Sequence, residues 1–440
     1  MRGAAAATVF TRLLTFGLGA ITAVWTARAL GPYGRGVWSV GLLIASIVGL
    51  LTESGVGQAA LFVVGKRPDR RRAVVHSGLL LVGISGFLWT SFVVLWAVQG
   101  SNPLSGFPRR VFVIAALAGY AAGIVLITRQ LLAVLGDWDS MNRSVVLQPL
   151  TLLAALFPAF LVFVPSPSGA LIAFAASFLI TAAFGLNRLR SLDLAGPAVE
   201  TGIAPSLVSY GLRSQITTIA LTLTYRSDLL LVNHFLGVAQ TGVYSVALTL
   251  SEIVRVVAEA AQVLVVTQAA TTDDVRNHAQ AIARRSAVLT LIAAMAMAGV
   301  SGVLVPLVFG VSFTGAVNAL WCLVPGSVAL ALSYSLSPLL VLKGQVLMNG
   351  AAAVLGLGIL WTVGSWGPGA PSLIKFALAS SLAYWSIALA QIIWLWHSRS
   401  LDPAGLVPTS EDVQDLVRAC WRAARRSGLT AGNGSQRSSG

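Results

Sequence analysis

Apolar runs of about twenty to thirty residues follow one another along most of the chain with short polar joins between them, and that succession decides the fold class. The stretch from Ala73 to Gln99 holds no Asp, Glu, Lys or Arg, and comparable runs recur as far as His397. A bilayer core of about 30 Å takes roughly 20 apolar residues per helix. In hydrocarbon each segment must satisfy its own backbone polar groups, which leaves helices or a closed barrel; unbroken runs of this length select helices. Composition agrees. Of 440 residues 56% are hydrophobic and 10% charged, with a mean hydropathy of +0.82, far outside the range of soluble domains. An all-α polytopic membrane protein is expected.

Twelve transmembrane helices are read, over 5–30, 36–64, 73–98, 111–135, 144–164, 169–187, 206–235, 239–268, 280–309, 315–342, 346–366 and 371–397. The opening residues, Arg2 and the run Ala4 to Trp25 ending near Ala27-Arg28-Ala29, have the outline of a signal peptide. Arg12 interrupts the short apolar core, so this segment is read as an uncleaved first helix. It is also needed for an internal repeat. Leu30-Gly31 and Gly36-Val37-Trp38-Ser39-Val40 recur 206 residues later as Leu236-Gly237 and Gly242-Val243-Tyr244-Ser245-Val246, and Glu53 falls on Glu259. Six helices per copy make the repeat parallel, which puts its pseudo-twofold axis along the membrane normal. The expectation is therefore two six-helix bundles around a central cavity, over 1–187 and 206–397. A cytoplasmic linker, 188–205, would separate them, and a cytoplasmic tail, 398–440, would follow.

The basic residues collect in alternate joins. Lys66, Arg67, Arg70 to Arg72, Arg143, Arg188, Arg190, Arg276, Arg284, Arg285 and Lys343 fall on one side, and only Arg35, Arg109, Arg110 and Lys375 on the other. Retention of basic joins on the inner side places both termini in the cytoplasm. This distribution also accounts for the net charge of +14 without nucleic acid. In the tail an amphipathic helix is expected at about 410–426, capped by Thr409 or Ser410 and lying on the anionic leaflet or against a partner. Two cysteines, Cys322 and Cys420, give no disulfide framework or metal spacing. No cofactor, metal or phosphate-cradling loop is indicated, and no join is large enough to house an active site.

Ionisable groups deep in a helix are costly and become functional candidates by default. Arg213, Arg226 and Asp228 lie in the seventh span. The two arginines sit roughly 20 Å apart along it, a spacing that could hand a phosphate from one leaflet toward the other. Arg12 and Arg28 flank the first span. Glu53 lies midway along the second. Glu252, Arg255 and Glu259 are three and four apart and share one face of the eighth. Each has a plainer reading: snorkelling for the arginines, a packing glutamate at Glu53, and a self-neutralised cluster on the eighth span. Arg129 is read as interfacial, and Pro149, Pro306, Pro325 and Pro338 as kinks.

Read together, Arg28-Ala29-Leu30-Gly31-Pro32-Tyr33-Gly34-Arg35-Gly36, Gly55-Val56-Gly57-Gln58-Ala59-Ala60, Tyr225-Arg226-Ser227-Asp228 and Gly242-Val243-Tyr244-Ser245-Val246-Ala247 resemble bacterial polysaccharide flippases of the Wzx type, relatives of the multidrug exporters and lipid II flippases. The resemblance implies a V of two six-helix bundles. It also implies transport of an undecaprenyl-diphosphate-linked oligosaccharide from the inner to the outer leaflet by alternating access, for cell-surface polysaccharide assembly. On this reading Arg213, Arg226, Asp228, Arg12 and Arg28 meet the diphosphate, while Glu53, Glu252, Arg255 and Glu259 serve coupling or line the cavity. The partners would be the lipid-linked glycan, membrane lipids and the polymerase or glycosyltransferase machinery. The competing readings are an ion-coupled multidrug or cation exporter of the same fold, in which the glutamates bind the substrate, and a membrane enzyme of polysaccharide assembly.

Overall fold

The computed structural model describes residues 2–99, 107–161, 164–194, 196–197, 200–269, 275–342, 345–399, 401–407, 409 and 412, the side chains of 2–10, 12–13, 257–258, 260–269, 275–276, 342 and 346 excepted. Among the described residues the architecture is helical. The helices are α1 (Arg2–Glu53), α2 (Val56–Lys66), α3 (Arg71–Gln99), α4 (Arg109–Val134), α5 (Trp138–Leu161), α6 (Pro167–Ser191), α7 (Ile203–Arg226), α8 (Asp228–Ala269), α9 (Val275–Val308), α10 (Ala316–Leu342), α11 (Val346–Trp366) and α12 (Leu373–His397), with three short 3-10 turns. Among the described residues ten stretches are long and apolar enough to cross a membrane. The protein is a multi-pass membrane protein.

Two of those stretches, Leu14–Lys66 and Ile203–Val256, exceed fifty residues. Straight, each would run about 80 Å, more than twice the bilayer core. Neither is straight. α1 is interrupted at Gly31 (φ 64, ψ −177) and α8 at Gly237 (φ 81, ψ 173), a backbone region open to glycine and closed to most side chains. Side-chain contacts show that the chain doubles back at both. Tyr244 donates to Asp228 Oδ2 at 3.0 Å, although sixteen residues of helix would separate them by about 24 Å. Arg35 reaches Thr26 Oγ1 at 2.5 Å across the break at Gly31. The two hairpins face each other. A Cβ on Gly36 would strike the carbonyl of Val238, and one on Gly242 would strike that of Pro32. These are two contacts that the offset of 206 exchanges, Gly36 corresponding to Gly242 and Pro32 to Val238.

The helices bury apolar faces in several clusters rather than one core. Trp38, Phe107, Phe112, Leu156 and Leu171 gather α1, α4, α5 and α6. Val74, Ile127, Leu131 and Leu207 gather α3, α4 and α7. Tyr244, Phe313, Leu320, Leu360 and Phe376 gather α8, α10, α11 and α12. α1 and α8 pack along each other between these groups. Within its expected span, α2 is set off from α1 by Ser54 and Gly55, both with positive φ. α5, α9 and α10 run on through Pro149, Pro306, Pro325 and Pro338, the prolines expected to kink them, and α5 also through Pro158, with helix on both sides of each.

After α12 the chain returns to α9. Gln280 Nε2 donates to the carbonyl of Asp402 at 3.0 Å, and Arg284 Nη1 to that of Gly405 at 2.5 Å. Buried Asp412 accepts from Arg284 at 2.8 Å, Arg285 at 3.2 Å and the Thr409 hydroxyl at 2.8 Å. Burial raises the Asp412 carboxyl, but these donors outweigh it and hold the group well below the usual carboxylate range. The helix expected at about 410–426 lies, Asp412 apart, outside the described residues.

Candidate binding cavity

Between the hairpin of α1, the crossing of α4 with α5 and α6, and α7 with α8 lies a cavity of about 560 Å³. That size sits within the range of small-molecule sites, roughly 300–1,000 Å³. Its wall is apolar over Phe16, Trp38, Leu42, Leu152 and Leu248 and polar over Thr22, Ser39, Ser46, Gln148 and Thr249. Among the described residues that line it, the ionisable ones are Arg35, Arg129, Arg226 and Glu252.

Each arrives by a different route. Pro32 follows the break at Gly31, and proline is pre-organised for the first helical position. The second arm of α1 therefore begins before Arg35 and carries it a turn inward, 5% exposed. Its guanidinium meets hydroxyls: Thr26 in its own hairpin, Ser245 at 3.2 Å and Thr249 at 3.3 Å on α8. Arg129 leaves α4 slightly more than one turn before its end and donates to the Ser144 hydroxyl at 3.1 Å and carbonyl at 2.8 Å on α5. Arg226 closes α7 and pairs through Nη1 with Glu252 Oε1 of α8 at 2.5 Å. The wall carries three guanidinium groups and one carboxylate, and that carboxylate is already paired.

The other candidates fall elsewhere. Arg213 is exposed and does not line the cavity. The Arg12 side chain lies outside the described residues. Arg28 donates through Nε to the Val308 carbonyl at 2.7 Å and through Nη2 to that of Leu307. It thereby caps the end of α9, where a cation complements the helix dipole. Asp228 is fully buried beside the cavity wall and holds Leu229 N–H at 2.8 Å with the hydroxyls of Tyr244 and Ser380, each at 3.0 Å; it fastens α8 to α12. Glu53 accepts from Gly55 N at 3.0 Å and Gly57 N at 2.7 Å. It therefore caps α2, whose first N–H groups lack partners within the helix. Arg255 and Glu259 approach to 3.3 Å on α8, off the lining.

Sequence reasoning set Arg35 in an outer join and Arg129 at the interface, and both line the cavity. The Gly31-Pro32 pair is the signal that places Arg35, since it starts the helix four residues sooner than the apolar run suggests. Nothing in the sequence distinguishes Arg129 from a snorkelling arginine. Its placement depends on Ser144, fifteen residues on in another helix.

The family described as polysaccharide biosynthesis protein matches residues 25–318. No curated protein matches the sequence. Among solved structures, the inward-facing conformation of a multidrug resistance MATE family transporter of the MOP superfamily is similar with a TM-score of 0.68 at 15% identity, over 88% of this chain and 94% of that one. The lipid II flippase MurJ in its inward closed conformation gives 0.69 at 13% identity, over 92% and 89%. An outward-facing MATE family transporter gives 0.57 at 14% identity, over 90% and 95%. At these identities the likeness is one of fold.

Proposed function

The chain belongs to the polysaccharide biosynthesis protein family, and from that premise we propose that it is a flippase for an undecaprenyl-diphosphate-linked oligosaccharide. It moves the headgroup from the inner to the outer leaflet of a bacterial inner membrane. The cavity wall carries the proposal: three guanidiniums face one carboxylate that is itself neutralised by Arg226. A diphosphate cannot cross about 30 Å of hydrocarbon unaided, and arginines recognise phosphate oxygens through paired N–H donors. In this reading the cavity takes the diphosphate and its first sugars while the polyprenyl tail stays in lipid.

Transport proceeds by rocking of two parallel six-helix halves, 1–187 and 206–397, with twelve crossings and both termini cytoplasmic. The reciprocal seal of Gly36 on Val238 and Gly242 on Pro32 supports a pseudo-twofold between the halves. The higher similarity to inward than to outward relatives supports an inward-facing state. For a cation exporter the same wall is unfavourable, since its one carboxylate has a partner. The test is translocation of the lipid-linked oligosaccharide in proteoliposomes. Arg129→Ala and Arg226→Ala should each abolish most transport while the protein still inserts. Undiminished transport in both, or efflux of a cationic drug in its place, would overturn the reading.

A further inference from the structure

The one ion pair in the described cavity wall, Arg226 with Glu252, is paradoxical for an anion site, because the carboxylate occupies a guanidinium the substrate needs. Glu252 is 31% exposed and Arg226 37% exposed in their side chains, so both face the open cavity. A second cation stands on the same helix face three residues on, at Arg255. Its Nε lies 3.3 Å from Glu259 Oε1 but is aimed off it, and among the described residues that buried N–H has no hydrogen-bond partner. A buried, unmatched N–H is costly and would gain from an acceptor. Among the described residues no carboxylate is bonded to Arg35 or Arg129, whose guanidiniums are held by hydroxyls and a carbonyl.

We infer that Glu252 is an exchangeable counter-ion. With the cavity empty it holds Arg226; when a diphosphate enters, it gives up Arg226 and turns along α8 to Arg255. The exchange never leaves Glu252 without a guanidinium: it passes from Arg226 to Arg255, which then faces Glu252 as well as Glu259. It makes Arg226 available only to a ligand anionic enough to displace a carboxylate, which selects a diphosphate over a singly charged headgroup. Arg255 is then a positioning residue, acting on the ligand through Glu252. This inference rests on the anion-binding reading of the cavity.

The probe is inorganic pyrophosphate, titrated calorimetrically against the purified full chain in lipid nanodiscs. Removal of the competitor in Glu252→Gln should tighten binding about tenfold, and Glu252→Ala should do the same if the glutamine variant is not monodisperse. Arg255→Gln should weaken binding severalfold in the wild-type background, with Arg255→Lys restoring most of it. In the Glu252→Gln background Arg255→Gln should have almost no effect, since coupling between two residues appears as non-additivity. Unchanged affinity in Glu252→Gln, or an Arg255→Gln effect of equal size in both backgrounds, would overturn the exchange while leaving the anion site intact. If pyrophosphate binds neither the wild type nor Glu252→Gln, the anion-binding reading itself falls, and the exchange falls with it.

Discussion

Arg129 and Arg213 show how little an arginine's position along a helix says about its work. Each is set back from the end of an apolar run, and sequence alone favoured Arg213. In the structure Arg129 is turned into the cavity by Ser144, whereas Arg213 is exposed. Arg129→Ala should therefore reduce transport at least tenfold, the effect of losing about 1.4 kcal/mol or more of headgroup binding, while Arg213→Ala should stay within about twofold. A proteoliposome assay of the two variants side by side checks both. The carboxylates divide in the same way. Glu53 looked like a coupling group because it lies deep in an apolar run, but its two oxygens are taken by the N–H groups of Gly55, just before α2, and Gly57 in its first turn. Glu53→Gln keeps the shape and loses the charge at a helix start, so it should cost about 1 kcal/mol of stability and leave transport near normal. Depth was legible at these positions and direction was not, because direction depends on which helix packs alongside.

At the scale of elements, the breaks were better marked than the helices they divide. The Leu-Gly pair that ends the first arm of α1 recurs in α8, and both glycines adopt the positive φ that the repeat suggests they share. Sequence therefore located the turns, whereas hydropathy set the start of the arm after Gly31 too late and left Arg35 outside. In the tail a helix capped by Thr409 or Ser410 was expected, and among the described residues Thr409 makes the capping contact, Asp412 N–H donating to its hydroxyl at 3.3 Å and Thr409 N–H to Asp412 Oδ2 at 3.1 Å; the grip of Arg284 and Arg285 on the same Asp412 is a long-range match that no local pattern announces. Asp412→Asn should destabilise the attachment by about 2 kcal/mol and speed proteolysis after α12. The sign with pH follows from its depressed carboxyl. The ion pair contributes in full above the ordinary carboxylate range, near 4, and is lost as pH falls further toward the group's own pKa in the folded protein. The difference in protease resistance between wild type and Asp412→Asn should thus be present at pH 7 and shrink progressively below about pH 4.

For the whole molecule, the residues from which a repeat was read meet where the two hairpins touch, Gly36 against Val238 and Gly242 against Pro32. Backbone meets backbone there because neither Gly36 nor Gly242 has a side chain, and the approach has no room for one. Such a contact lets two backbones approach closely, as small residues do at helix interfaces in lipid, and apolar residues of α1 and α8 pack around it, Ala27 and Leu43 in one cluster and Val238 in another. Arg28 on the end of α9 and Arg35 on Ser245 and Thr249 add polar ties on the same side. If the halves rock, this is the end that must part, and a side chain at Gly242 should favour the parted state. The expected outcome is read with Ser39→Cys, a buried position in the cavity wall beneath the seal, in a background lacking Cys322 and Cys420. In intact cells an impermeant thiol reagent should label Ser39→Cys slowly, and several times faster once Gly242→Val is added, with transport reduced because the closed state is disfavoured. Labelling that stays slow in the Gly242→Val background would mean that the hairpins do not form the outer gate, and a rigid seal would then have to be reconciled with transport through the opposite end alone.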